Sequence, residues 1–560
     1  MFKKTDPNPQ LDIFTAPLMQ LGSRASKKYS DPNAWHNQFY SLVTTKINEE
    51  IFKPLFPEGK KCGRPNASIR ILVAMSALKE GFGCSDEDLF EKCEFDLLTR
   101  KALGMELLTD VTPSIDTYYL FRRRICEYQE RTGIDLMQLC FEQLAGNQVR
   151  LLKISGKCVR MDSKLIGSNI ARQSRYELIH TTLVKFLKTC TLSNLSPEKE
   201  ELAKEYLKED SSKTVYRSDS DTLQSNLARI GNFIMEMLAT FPATSPAHDL
   251  LQRLFDEQYA VKDGKAVLRD KKEVKADSLQ NPNDPDATYR AKNDQKVQGY
   301  VTNITETVEE GKPNIITSVQ VETAVFADCH FLQEAVENSE RVTDSTIEDL
   351  YADGAYQSPD NREFAKNHNA MQLKTGKMQG GCRWELIPHD EDGLTVREIA
   401  TGNTYEAVKA VTKQGSRKRW RIPWNNKTGW RYFEDKDIKA YQLRKQIESL
   451  PLEEQHKRNN VEAAMFQYSF HTRKGKTRYR GLLKHRMHAY SRCMWMNLRR
   501  MVIFQISTFQ RSIFALFGPI REAFGSFKAI SRKIFTSGAD CYVSLRMTTL
   551  ARLDSKYVPF

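Results

Sequence analysis

Three carboxylates, far apart along the chain, are the residues whose types and settings could do chemistry. Asp162 stands in CVRMDSKLIGSN, Asp353 in LYADGAYQSPD and Glu462 in NNVEAAMFQY. The two aspartates each close a run of strand formers, and Glu462 lies in a helical pattern with Arg458 four residues before it on the same face. Two strand-end aspartates and a helical glutamate can meet at one edge of a sheet. Like charges a few ångströms apart resist joint ionisation, so such a cluster calls for a cation. Mg²⁺ is a hard ion that takes carboxylate oxygens. Two such ions about 3.5–4 Å apart activate an attacking oxygen and stabilise the leaving one in phosphodiester displacement. The chain has 71 acidic residues and so offers many such triples. Spacing alone therefore leaves the alternative open, in which these are turn and helix-face carboxylates.

The elements that must position these groups can be read coarsely from periodicity. Helix is predicted over Trp35 to Ile51, and residues 1–60 otherwise read as an N-terminal arm. Residues 61–147 form a helical N-terminal domain: IRILVAMSALKEGF carries apolar residues at three- and four-residue spacing, and Ser85 before Asp86 to Asp88 marks a helix start. VRLLKISGKCVRMD reads as a hairpin turning at Ser155-Gly156-Lys157 and ending at Asp162. Residues 148–371 and 438–503 compose an α/β domain interrupted by a helical insert at about 175–280. Its strands include VQGYVTNITETV and NIITSVQVETA, with helix over Asp328 to Asn338. A β-rich insert with four tryptophans spans 372–437, and a helical tail spans 504–560. The tail from Phe504 to Phe527 is amphipathic, which reads as helix packing. No internal repeat is visible.

At 560 residues the chain has room for two to four domains, and 40% hydrophobic residues permit packed cores. No apolar run reaches the roughly 20 residues needed to span a bilayer, and MFKKTDPNPQ lacks a signal-peptide apolar region. Eleven cysteines without CxxC pairs disfavour a zinc site or a disulfide framework, so the expected location is the cytoplasm. The net charge is +13, yet Lys409 to Arg500 alone holds 24 Lys/Arg against 7 Asp/Glu, leaving the rest slightly acidic. A concentrated basic segment fits a polyanion partner, because neutralised phosphates release counterions.

Beyond composition, the wording of several stretches resembles the Asp-Asp-Glu transposases of bacterial insertion sequences. The stretches are MDSKLIGSN, YADGAYQSP, VEAAMFQYSFHTRKGKTRYRGLLKHRMHAYSRCMWMNLRRM, GRPNASIRILVAMSALKEGFGCSDEDL with TPSIDTYYLFRRRI, and DPDATYRAKNDQKVQGYVTNI. They cover roughly residues 60–175, 284–370 and 455–503, in the family's order. The resemblance implies an RNase H-like mixed sheet flanked by helices and behind a helical N-terminal domain. It implies Asp162, Asp353 and Glu462 as catalytic, metal-holding residues, with two Mg²⁺ ions for which Mn²⁺ can substitute. It also implies DNA as partner, both the terminal repeats of the parent element and target DNA, with a homodimer when two ends are paired. One departure stands out. Gln455 and Ser469 occupy positions where related enzymes carry Tyr and Lys along the Glu462 helix, and Glu385 in CRWELIP is a rival third carboxylate. Two other functions stay open: a metal-dependent nuclease without strand transfer, and an inactive DNA-binding regulator.

Several cations and aromatics are candidates for DNA contact. Arg122, Arg123 and Arg124 cluster in the helical N-terminal domain. Arg419, Trp420, Arg421, Trp424 and Trp430 interleave in RKRWRIPWNNKTGWRYF, a pattern suited to stacking on unpaired bases. Trp384 shares the insert, whose tryptophans equally suit its own small core. Arg458, Arg473, Lys474, Lys476, Arg478 and Arg480 flank the Glu462 helix. His389, His456, His471, His485 and His488 fit no metal spacing, and Asp286 and Asp328 read as loop supports.

Overall fold

The computed structural model describes residues 21–56, 65–292, 295–375, 382–389, 393–410, 419–424, 429–449 and 461–523, with residues 2, 451, 454 and 457. Its N-terminal helices are α1 (Ser23–Tyr29), α2 (Trp35–Leu42), α3 (Ile69–Phe82), α4 (Asp86–Phe95), α5 (Leu97–Leu103), α6 (Ile115–Thr132) and α7 (Leu136–Leu152). Local chemistry sets their ends. Ser85 and Asp88 cap α4 reciprocally, each side chain accepting from the other's N–H at 3.0 Å. Asp135 caps α7 by accepting from Met137 and Gln138. The helix expected over Trp35 to Ile51 stops at Leu42 and gives way to 3₁₀ turns at Thr44–Lys46 and Glu49–Leu55, the second containing Pro54. Trp35, Phe39, Val43, Ile47 and Phe52 sink into the same core as α3.

One reading of the sequence is overturned here. The expected hairpin at Val149–Asp162 does not form, because its first half is the last turn of α7, which runs to Leu152. A short apolar run such as VRLL fits a strand and a buried helix end equally, and the helix won by burying Leu144, Ala145 and Val149 on one face. Asp162 then lies inside a single ten-residue strand, β1 (Cys158–Gly167), and not at the end of a hairpin's second strand.

After β1 come α8 (Arg175–Leu187), α9 (Pro197–Lys208), α10 (Ser211–Arg217), α11 (Ser220–Thr240) and α12 (Pro246–Gln258), then a small hairpin, β2 (Tyr259–Lys262) and β3 (Lys265–Leu268). This helical insert has its own core, including Phe186, Tyr206, Phe233, Leu254 and Tyr259. The chain returns to the main sheet with β4 (Thr288–Lys292), β5 (Gln295–Thr307), β6 (Ile316–Thr323), β7 (Asp349–Ala352) and β8 (Gln372–Thr375), with α13 (Leu332–Thr343) and α14 (Pro359–Asn367) between the last three. β5 pairs antiparallel with β1 on one edge and with β4 and β6 on the other, whereas β7 runs parallel to β1 and β8 parallel to β7. The spatial order is β6-β5-β1-β7-β8, with β4 set end to end with β6 along β5.

A five-stranded meander follows: β9 (Trp384–His389), β10 (Gly393–Glu398), β11 (Thr404–Ala410), β12 (Arg419–Trp424) and β13 (Gly429–Glu434). Then come α15 (Asp435–Glu448), α16 (Val461–Ser469) and the long α17 (Leu482–Ala523), which carries the helical tail as far as it is described. The architecture is thus the mixed α/β sheet expected, with helical N-terminus, strand-rich insert and helical C-terminal stretch. One face of the sheet packs on the N-terminal helices, α16 and α17 through Ile166, Tyr300, Ile304, Tyr468 and Trp495. The other packs on α13 and α14 through Val159, Met161, Val301, Leu332 and Ala365. Among the described residues no helix is long and apolar enough to cross a membrane.

Candidate active site

Strand register places the two aspartates side by side. β1 and β7 pair in parallel with Cys158 beside Asp349, Val159 beside Leu350 and Arg160 beside Tyr351. Continued by two residues, this register sets Asp162 abreast of Asp353, at the point where β7 ends. Asp353 is extended (φ −74°, ψ 160°), and its carboxylate accepts the Gly354 N–H at 2.7 Å, opening the short turn Gly354–Tyr356. The turn drops Tyr356 into the sheet, fully buried, where its hydroxyl donates to Asn303 Oδ1 at 2.7 Å. LYADGAYQSPD therefore ends a buried strand with a carboxylate and then anchors the backbone beyond it.

The charge around Asp162 is poorly compensated. Among the described residues its carboxylate accepts one hydrogen bond, from the Ser163 N–H at 2.8 Å, and makes no ion pair. Burial pushes its pKa up to about 6, the Ser163 N–H opposes this, the Asp353 charge pushes it further up, and Lys292 and Asp328 act weakly in opposite senses. Asp328 itself is satisfied, receiving Arg290 at 3.0 Å and Lys292 at 3.6 Å, in keeping with a supporting role. A carboxyl whose pKa is raised by loss of water, and further by a neighbouring carboxylate, is a fit for a divalent cation.

The opposite edge of β1 from β5 is open for part of its length. β7 covers Cys158 to Arg160, and at the far end Gly167 donates to Gly475 O at 2.8 Å and accepts from the Thr477 N–H at 3.0 Å. Between these contacts, residues 161–166 have no strand partner on that edge among the described residues, a gap of roughly 20 Å at about 3.3 Å per residue. Asp353 bounds one end and the basic turn Arg473–Lys476 the other. Gly167 permits this closure, since a Cβ there would lie 2.8 Å from Lys476 Cγ. On the β5 edge a Cβ at Gly299 would lie 2.3 Å from Ile166 O.

The Glu462 helix crosses the same face. Along β1 side chains alternate, so Arg160, Asp162 and Lys164 share one face. Arg160 donates to Glu306 at 2.6 Å and to Lys457 O at 2.9 Å, and Arg500 meets the other oxygen of fully buried Glu306 at 2.7 Å. Further along, Thr302, which pairs with Lys164, bonds the Tyr468 hydroxyl at 3.1 Å. These contacts hold α16 and its lead-in over β1 on either side of Asp162. Glu462 is exposed in the first turn of α16. The structure thus brings Asp162 and Asp353 together and leaves Glu462 outside their cluster. Among the described residues no group of three His, Cys, Asp or Glu is gathered to hold a metal. The rival Glu385 is engaged inside the meander, accepting from the Tyr441 hydroxyl at 2.8 Å with Arg397 at 3.8 Å.

The proposed DNA contacts divide by burial. Arg122 lies against the Tyr118 and Tyr479 rings (5.3 and 5.2 Å) with Asp86 at 3.9 Å, so it knits α6 to the segment before α17. Arg123 is exposed beside Glu127 at 3.5 Å, and Arg124 lies over Phe56 at 5.9 Å. Lys476, Arg478 and Arg480 each donate to a backbone carbonyl: Ile170 at 2.6 Å, Gly83 at 2.7 Å and Asn169 at 2.7 Å. Arg473 and Lys474 are exposed on the turn. Trp420 and Trp384 lie in the core of the meander. Trp430 is 48% exposed, with the Arg421 guanidinium 4.2 Å from its ring centre and Arg419 4.0 Å from that of Tyr432. Arg458, Gln455, His456 and the Trp424 side chain lie outside the described residues.

Of the histidines, His485 is buried against Tyr300 at 4.2 Å, which takes its pKa down to about 3. His471 bonds Gly81 O at 3.1 Å, and His488 pairs with Glu80 at 2.7 Å. Sequence reasoning passed over Lys164, Lys292 and Tyr356. Only Lys164 left a signal, two residues past Asp162 on a strand where that spacing means the same face.

Residues 28–124 match the model of a family described as Transposase domain (DUF772), and this match supports a transposase. No curated protein and no solved structure matches the chain.

Proposed function

We propose that this protein is a DNA transposase of the Asp-Asp-Glu kind, cutting and joining the ends of an insertion sequence. The observation that supports the reading is the nearness of Asp162 to Asp353, whose charge acts on it where β7 leaves the edge of β1, behind an N-terminal segment that matches a transposase domain. The order β6-β5-β1-β7-β8, antiparallel through its first three strands and parallel through its last three, supports an RNase H-like sheet. Asp162 and Asp353 are the residues that would hold divalent cations, and Glu462, which stands apart from them in the first turn of α16, would have to approach to complete the set. Two bound Mg²⁺ ions would supply activation of the attacking oxygen and stabilisation of the leaving one.

The chain's own residues position and exclude. Arg160, Glu306 and Arg500 fix β1 and the approach to α16. Asn303 and Tyr356 fix the turn after Asp353. Arg421 with Trp430 offers a cation and an exposed ring for an unpaired base and its phosphate. Pairing two ends calls for two copies on DNA.

The test is incubation with duplex DNA carrying the terminal sequences of the encoding element, in Mg²⁺, resolving nicked, hairpin and joined products. Asp353→Asn is expected to bind ends as the wild type does and to lose cleavage by at least about 10³-fold, the scale seen when one member of a catalytic unit is removed. Cleavage persisting in that variant would sink the assignment. Nicked products without joined ones would favour the nuclease, and end binding without any cleavage by the wild type would favour the regulator.

A further inference from the structure

We infer that Lys164 is a phosphate-contacting residue of the site, holding the scissile phosphodiester beside Asp162; this rests on the DNA-cutting reading. Lys164 is half-buried, yet among the described residues its ammonium makes no hydrogen bond and no ion pair. That separates it from its neighbours. Arg160 is consumed by Glu306 and Lys457 O, Lys292 by Asp328, and Lys476 by Ile170 O.

The charge this half-buried ammonium feels is that of Asp162, and a cation taken up by Asp162 would leave it short of an anion, so its position calls for one that arrives later. The surroundings name that anion. Lys164 shares a face with Asp162, two residues away, and the edge of β1 at both residues is the uncovered stretch between Asp353 and the Arg473–Lys476 turn. Opposite Lys164, Thr302 is engaged with Tyr468, so no acidic group from β5 faces it. A phosphodiester lying along this gap would meet carboxylates at one end, a basic turn at the other and Lys164 between them. A lysine there is a compact point charge that suits a single phosphate.

The experiment measures end-duplex binding against salt in chelator, and cleavage in Mg²⁺ at saturating DNA, for wild type, Lys164→Gln and Lys164→Arg. For Lys164→Gln the expected results are an unfolding midpoint like the wild type's and a slope of log affinity against log salt shallower by about 1. Cleavage should fall on the order of 10²-fold, the scale of losing one charge-stabilising donor. Lys164→Arg should recover the slope and most of the rate. A purely structural lysine would not move the salt slope. If the wild type cuts and Lys164→Gln keeps both slope and rate, the Lys164 assignment falls while the DNA-cutting reading stands. If the wild type neither binds nor cuts, both fall.

Discussion

Two carboxylates drawn largely out of water in this molecule answer the same physical problem in opposite ways. Glu80, near the end of α3, is enclosed where the N-terminal helices meet α17. It pairs with His488 at 2.7 Å and accepts from the Tyr479 hydroxyl, and Arg492 donates to its backbone carbonyl at 2.9 Å. Burial works to raise its pKa, but His488, Lys79 and Tyr479 overcome this and hold it down at about 2. Asp162 is also drawn largely out of water, but its one hydrogen bond comes from a backbone N–H, another carboxylate lies nearby, Lys292 and Lys164 oppose this only in part, and its pKa sits up at about 6. A charge whose partners are all inside the chain holds the structure together. A charge left short of partners is held for something from outside.

The larger effect is expected at Glu80. Glu80→Gln removes a carboxylate that accepts from the Tyr479 hydroxyl and sits against His488 and Lys79, and is expected to cost about 1–3 kcal/mol at neutral pH. Because the folded pKa lies below the ordinary 4.5, this carboxylate's contribution is present above pH 4.5 and is lost as pH falls through about 2. Denaturant unfolding from pH 2 to 8 should show the two proteins converging at the acid end. A variant within 1 kcal/mol of wild type at pH 7 would remove the contrast.

Asp162→Asn should do the reverse. With a folded pKa near 6 against an ordinary 3.8, the carboxyl favours the fold below pH 3.8 and loses that advantage as pH rises through 6. In chelator the variant should therefore be more stable than wild type above pH 6, by up to about 3 kcal/mol, with the gain fading below pH 4. Adding Mg²⁺ should raise the wild-type melting temperature and leave that of the variant in place. A variant less stable than wild type at pH 7 would contradict the account of Asp162.

A smaller contrast repeats the theme within the meander. Trp420 is 4% exposed and Trp430 48% exposed on paired strands of one sheet. Trp430→Ala should change unfolding by under about 0.5 kcal/mol and weaken binding to single-stranded DNA by about 1–3 kcal/mol, read by fluorescence titration. Equal binding by the two proteins would make Trp430 an ordinary surface residue.

Much of the fold was legible because its signals are local. The Ser85 capping box, the helical spacing after Ser68 and the alternation through β5 and β6 each depend on residues a few positions apart. The failed hairpin at Val149–Asp162 shows the limit: VRLL suits a strand or a buried helix end, and only its packing partners decide. The same limit divided the basic residues. Arg122 and Arg123 are neighbours of identical type, yet one lies between two tyrosine rings and the other faces solvent.

What the sequence by itself determined is the inventory and its order: two aspartates in strand-forming runs, a helical glutamate, a basic C-terminal stretch and a tryptophan-bearing insert on a mixed α/β chain. Only the tertiary structure decided which of these meet. Asp162 and Asp353 are brought abreast by the parallel register of β1 and β7, a pairing between strands nearly two hundred residues apart. Register depends on side chains packing on both faces of the sheet at once, and no local pattern carries that. For the same reason Lys164 became visible only once the uncovered edge of β1 had been placed beside it.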